Sequence, residues 1–335
     1  MSESSPQDFL FQRIRELIPA KASLVDTVAE ILHVSSDSAY RRIRGETLLV
    51  LNEAKLLCDH FQLSLDHLFL LKNHSVVFEH SRLDLAHYDY DRFLLGLLQQ
   101  LKNMNQSVNP EMIYCSKDLP VFHNFYFRPV FAFRYFFWMR TFIQHPDFQG
   151  RKFNMDCLSD ATELIGRELT REYAELPSIE ILNTECINAI ISQIEFCKDA
   201  GYFSNPGDIR SIYDSLELTI LHLKDQVDYG AKFLPADKNP SGRKKNFNFY
   251  YNRVLLGDNT ILVSTGQERQ VFLNYEALSY LNTKDKDFCD GCYSGLQHLM
   301  KKGSIISATS EKQRNIFFGI LLGKITDRIK AITKK

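Results

Sequence analysis

Apolar positions in this sequence recur at helical spacing over most of its first 233 residues and then give way to strand-like runs. Residues 1–72 predict five short helices. Ser5-Pro6-Gln7-Asp8 carries the marks of a helix start: a capping Ser, Pro in the first turn and a carboxylate three residues on. Pro19 stops that helix. Ser23-Leu24-Val25-Asp26 repeats the signal and opens a second helix through Leu32. Ser35 caps a third that ends at Gly45, Leu51–Phe61 forms a fourth, and Ser64 caps a short fifth through Leu68 and Phe69.

Beyond this block, Phe93, Leu94, Leu97, Leu98 and Leu101 share one face of a helix expected over Arg82–Gln106, which Asn109-Pro110 ends. Met112–Phe122 is ambiguous, with Ile113-Tyr114-Cys115 a candidate strand. Met155–Tyr173, Ile179–Lys198 and Asp208–Phe233 predict three long helices, parted by Pro177 and Asn205-Pro206-Gly207. Pro235–Asn246 is polar and reads as a linker. After it, Phe247–Leu256, Thr260–Ser264 and Gln270–Leu273 predict strands, with Gly257-Asp258-Asn259 as a hairpin turn. Helices follow at Glu276–Leu281, Phe288–Lys302 and Lys312–Ile332.

Composition narrows the function classes. A chain of 335 residues suggests two or three domains. Forty Lys and Arg against 41 Asp and Glu give a net charge of −1, so any nucleic-acid binding must come from a local patch. Seven scattered cysteines suggest a reduced, intracellular protein. The polar, acidic start lacks the basic and apolar segments of a secretory signal. In Phe122–Phe142, 11 of 21 residues are aromatic, but Arg128, Pro129, Arg134 and Arg140 interrupt the run, which excludes a membrane span there. A soluble, cytoplasmic protein is expected.

The strongest functional signal lies in Val25–Leu68. Val28, Ile31 and Leu32 form one apolar face, a tight His33-Val34 turn follows, and Ala39 and Ile43 mark the buried side of the next helix. The outward side of that helix then carries Asp37, Arg41 and Arg44, flanked by Ser38, Tyr40 and Arg42. A short-turned helix pair with a polar, Arg-bearing outer face is what a DNA major groove admits.

These residues resemble a known family. Val28–Ser35 is similar to the first helix and turn of the Xre, or Cro-and-phage-repressor, helix-turn-helix, and Ser36–Gly45 to its recognition helix and terminal Gly. Leu51–Phe61 and Leu63–Phe69 resemble its closing helices. Two departures stand out: His33 occupies a turn position where the family prefers Gly, and Val50 stands where a Ser or Thr would cap the fourth helix. The resemblance implies sequence-specific binding of double-stranded DNA, usually as a homodimer, with Ser36, Asp37, Ser38, Tyr40, Arg41, Arg42 and Arg44 at the DNA face. Arg41 is expected on a base edge and Arg42 and Arg44 on phosphates. Yet residues 1–72 hold 8 Lys and Arg against 10 Asp and Glu, so the block is not basic overall.

The expected fold class is therefore mainly α. It comprises a five-helix lambda-repressor-like domain at 1–72, a connecting helix at 73–108 and a mostly helical sensing or dimerisation region at 109–235. A linker at 236–246 leads to a small α+β domain at 247–335. The aromatic block predicts a core, or the wall of an effector pocket whose polar groups would be His123, Arg128, Arg134 and Arg140. If it is core, Glu163, Glu168 or Glu172 are the expected partners of those arginines.

Other signals are weak. Cys289-Asp-Gly-Cys292 has no second ligand pair for zinc, and His60, His67 and His74 are split by a helix start at Ser64. Arg243-Lys244-Lys245 reads as a solvated part of the linker. No Walker loop, GxGxxG, GxSxG or HExxH occurs, so no enzyme activity, metal or cofactor is expected. The reading is a transcriptional regulator controlled by a small-molecule or protein effector. The alternatives are a helical protein-interaction scaffold and an enzyme acting through the C-terminal domain.

Overall fold

The computed structural model describes residues 5–19, 22–63, 65, 76–80, 88–237, 243–253, 257, 259–276 and 278–333. The chain divides into two compact units, 1–77 and 78–335.

The first unit contains α1 (Pro6–Leu17), α2 (Leu24–Leu32), α3 (Ser36–Ile43) and α4 (Leu51–Phe61). Their starts follow from local chemistry. Ser5 Oγ accepts the Asp8 N–H at 3.1 Å while the Asp8 carboxylate accepts the Ser5 N–H at 3.0 Å, a reciprocal cap. Ser23 and Ser35 cap α2 and α3 in the same manner, without the return bond. Leu10, Phe11, Ile14, Val28, Ala29, Leu32, Ala39, Leu57 and Cys58 close one small core. The expected fifth helix falls on residues that lie, apart from Leu63 and Leu65, outside the described ones.

The second unit is built on one eight-stranded mixed sheet. Its strands are β1 (Glu79–His80), β2 (Pro110–Cys115), β3 (Ser178–Leu182), β4 (Phe247–Tyr251), β5 (Thr260–Thr265), β6 (Glu268–Glu276), β7 (Ser279–Thr283) and β8 (Ser304–Ile305). Their order is β1-β7-β6-β5-β2-β3-β4-β8. The centre, β2-β3-β4, is parallel, and β5, β6, β7 and β1 extend it as an antiparallel wing. Parallel neighbours need long crossovers. These are supplied by α6 (Arg128–Phe137) and α7 (Asp160–Glu175) between β2 and β3, and by α8 (Asn188–Asp199) and α9 (Gly207–Tyr229) between β3 and β4. Before them comes α5 (Tyr90–Asn105); α10 (Lys286–Lys302) lies between β7 and β8, and α11 (Glu311–Thr333) follows β8.

Strand alternation divides the interior in two. Met112, Tyr114, Leu182, Phe247 and Phe249 face a large core with the aromatic block, whereas Ile113, Cys115, Ile181, Leu262 and Val271 face Cys289 and Leu296 of α10. No helix among the described residues is long and apolar enough to cross a membrane.

Helices dominate, as expected, but the division of the C-terminal region does not stand. The stretches 109–235 and 247–335 share one sheet and one core, because β2 and β3 pair directly with β5 and β4. Within the expected helix Ile179–Lys198, the first residues are β3, followed by a turn and α8. The strand is only five residues long, with Ser178 and Glu180 between its apolar positions, too short a stretch for period alone to separate it from the helix that follows. Gly257-Asp258-Asn259 does not join paired strands, since β3 and β2 lie between β4 and β5. A two-residue hairpin falls instead at Gly266-Gln267, where Gly266 takes φ +65° between Thr265 and Glu268. The helix expected at Glu276–Leu281 is instead the approach of β6 to β7.

Candidate functional site

α2 and α3 are joined by three residues. His33 has left-handed backbone (φ 54°, ψ 42°), and its N–H and that of Val34 bond back to Glu30 and Ala29 at 3.3 and 3.0 Å, closing α2. The imidazole is exposed, so the turn accepts a side chain where glycine would be least strained. Ser35 then starts α3, its Oγ accepting the Ser38 N–H at 3.3 Å.

Ala39 is fully buried and Ile43 half-buried, which fixes the rotation of α3. Ser36, Asp37, Tyr40, Arg41 and Arg44 are exposed, and Ser38 is half-buried. Arg41 Nη2 lies 3.1 Å from Asp37 one turn earlier. Arg44 donates to the Tyr40 hydroxyl at 3.3 Å and places Nε 3.3 Å from Glu46. Both guanidiniums remain on the outward face.

Arg42 does not. Its Nε and Nη2 donate to the two Glu53 oxygens at 3.0 and 2.8 Å, and its Nη1 to the Ser38 carbonyl at 3.1 Å. The two side chains are only 17% and 16% exposed. The planar fork that would hold a phosphate is consumed in tying α3 to α4. The phosphate contact expected of Arg42 is therefore replaced by a bracing role. The guanidinium holds the Glu53 carboxyl below the usual carboxylate range. Glu53 also accepts the Val50 N–H at 3.3 Å, supplying from within α4 part of the cap that Val50 lacks.

Gln7, on α1, carries no sequence signal. Its amide donates to the Arg42 and Thr47 carbonyls at 2.7 and 2.9 Å and accepts the Leu49 N–H at 2.9 Å. One side chain thus fastens the loop that follows α3. The partners are 35 to 42 residues away, beyond the reach of any periodicity.

The four residues expected around an effector are dispersed. His123 is fully buried, with Nε2 2.8 Å from Glu180. Arg128 pairs with Asp160 and Glu163 and donates to the Leu158 carbonyl. Arg140 donates to the Phe148 and Arg151 carbonyls and covers the Tyr202 ring at 3.9 Å. Of the expected acidic partners only Glu163 meets one of these arginines; Glu168 pairs with Arg171 and Glu172 accepts from Asn105.

Arg134 stands apart. It lines a cleft of about 920 Å³ in the second unit, between α5, the aromatic block and the β5–β7 wing. Its guanidinium lies 4.6 Å over the Trp138 ring, Nη1 donates to Gln193, and Nε is enclosed with no partner. Desolvation lowers its pKa to about 10. Asp118 lines the same cleft, and burial pushes its carboxyl up while the Arg134 charge pulls it part of the way back.

Cys289 is buried and Cys292 half-buried on α10, His67 and His74 lie outside the described residues, and no metal-binding group of His, Cys, Asp or Glu occurs among the described ones. Arg243 pairs with Glu175 and Asp237. No protein-family model matches the sequence, and no curated protein matches it.

Proposed function

We propose that this chain is a sequence-specific DNA-binding transcriptional regulator whose first unit is a lambda-repressor-like helix-turn-helix domain. The observation that carries this reading is the α3 surface. The helix is packed through Ala39, braced by Arg42–Glu53, and presents Arg41 and Arg44 outward beside Ser36, Asp37 and Tyr40. The energetics agree. The exposed Arg41–Asp37 pair is worth well under about 1 kcal/mol, whereas a bidentate guanine contact discriminates by about 1–3 kcal/mol. Exchange of one for the other is therefore favourable at a matching base.

A single unit of this size covers a short half-site, so the regulator acts as a homodimer on two half-sites about one helical turn apart. The dimer contacts belong to residues after 72. Exposed Leu48, Val50 and Leu51 favour one second reading, in which the first unit docks on a protein instead. Salt dependence of duplex binding by the full chain separates the two. Counterion release makes affinity fall steeply with salt, and Arg44→Ala flattens that slope. Binding absent at low salt, or unchanged by salt, overturns the DNA reading.

A further inference from the structure

We propose that the cleft in the second unit is a binding site for a small amphiphilic monocarboxylic acid. The inference goes beyond nucleic-acid recognition and does not depend on it. The cleft volume of about 920 Å³ is that of a small-molecule site, and Phe93, Leu97, Trp138, Phe142 and Phe272 supply apolar walls from three separate parts of the fold.

Charge selects the head group. Two cations line the cleft: Arg92 is exposed, whereas Arg134 is set among these walls and held in place rather than free, its guanidinium resting on Trp138 and one Nη anchored to Gln193. A neutral amide does not neutralise it, and the enclosed Nε has no acceptor. The Asp118 charge acts on this guanidinium without an ion pair or hydrogen bond to it, and burying a guanidinium with no carboxylate on its fork is costly unless an anion completes it. Arg128 in the same block shows the contrast, since it has two carboxylates of its own. A carboxylate matches the guanidinium fork in geometry and charge. Asp118 on the same cleft then repels a second anionic group, and the exposed Arg92 of the lining is matched in charge by the exposed Asp89, which together disfavour dicarboxylates and phosphates. An acid with one carboxylate and an apolar body satisfies all of these marks.

Trp138 is the only tryptophan of the chain and lines the cleft, so its emission reports entry directly. The test is a titration of the full chain, without DNA, by octanoate, 1-octanol and octanedioate. Octanoate is expected to change the emission saturably, with 1-octanol and octanedioate each about tenfold weaker or more. Asp118→Asn should recover octanedioate binding, and Arg134→Gln should abolish the preference of acid over alcohol. Equal binding of octanoate and 1-octanol, or no saturable change with either, overturns the proposal. That comparison is made on the unaltered protein, so it decides even if Arg134→Gln fails to fold.

Discussion

His33 and Glu53 show how single side chains set the first unit. A non-glycine residue in the left-handed region costs about 1 kcal/mol, so His33→Gly should stabilise the first unit by somewhat less than that, because glycine also loosens the unfolded chain. Thermal unfolding checks it, and a lower melting temperature would contradict the strain. Glu53 works in the other direction. Its carboxyl is held low in the folded protein by Arg42, so its contribution is present above the ordinary carboxylate range and is lost as pH falls through the depressed value. Glu53→Gln should cost about 1–3 kcal/mol at neutral pH, since it strips the charge partner from a mostly buried guanidinium. The same variant should blunt the acid loss, which denaturant titrations at neutral and acidic pH would reveal.

At the scale of elements, close approach decides what substitutions are allowed. A Cβ on Gly166 of α7 would sit 2.5 Å from the Phe131 ring of α6, and that ring is fully buried. Gly166→Ala must therefore push the two helices apart, at a cost of about 1–3 kcal/mol. An unchanged denaturation midpoint would show that the helices slide freely. Local signals made the starts of α1 to α3 legible in the sequence, because Ser5, Ser23 and Ser35 act within three residues of themselves. The sheet was not legible. Ile113-Tyr114-Cys115 hinted at β2, but its partners are β3 and β5, far along the chain, and Glu180 interrupts the apolar run of β3 with a buried carboxylate. The pairing of Arg42 was not legible for the same reason: it differs from Arg41 only in its rotation about α3, and its partner belongs to the next helix. The cleft draws on α5, the aromatic block and the β wing together; the aromatic block with Arg134 carried a pocket signal in the sequence, whereas the β-wing walls such as Phe272 and Tyr280 did not.

Across the whole molecule, buried charge and the proposed DNA recognition make separate demands. Lys232 is fully buried, 3.5 Å above the Tyr173 ring, and desolvation lowers its pKa to about 7. The unfolded chain keeps that proton up to about pH 10. It therefore binds more protons than the folded protein between these values, and stability from this group rises as pH increases from about 7 to about 10. Lys232→Met should flatten that rise and stabilise the protein at pH values below it, as thermal melts across the range would show. The central claim, that α3 reads DNA, is tested most directly by selecting duplexes from a random library with the full chain and with Arg41→Ala. The account predicts a two-half-site motif for the unaltered protein, with one base position per half-site relaxed in Arg41→Ala and affinity for the original site lower by about 1–3 kcal/mol. No enriched motif, or the same motif at the same strength from both proteins, would contradict it.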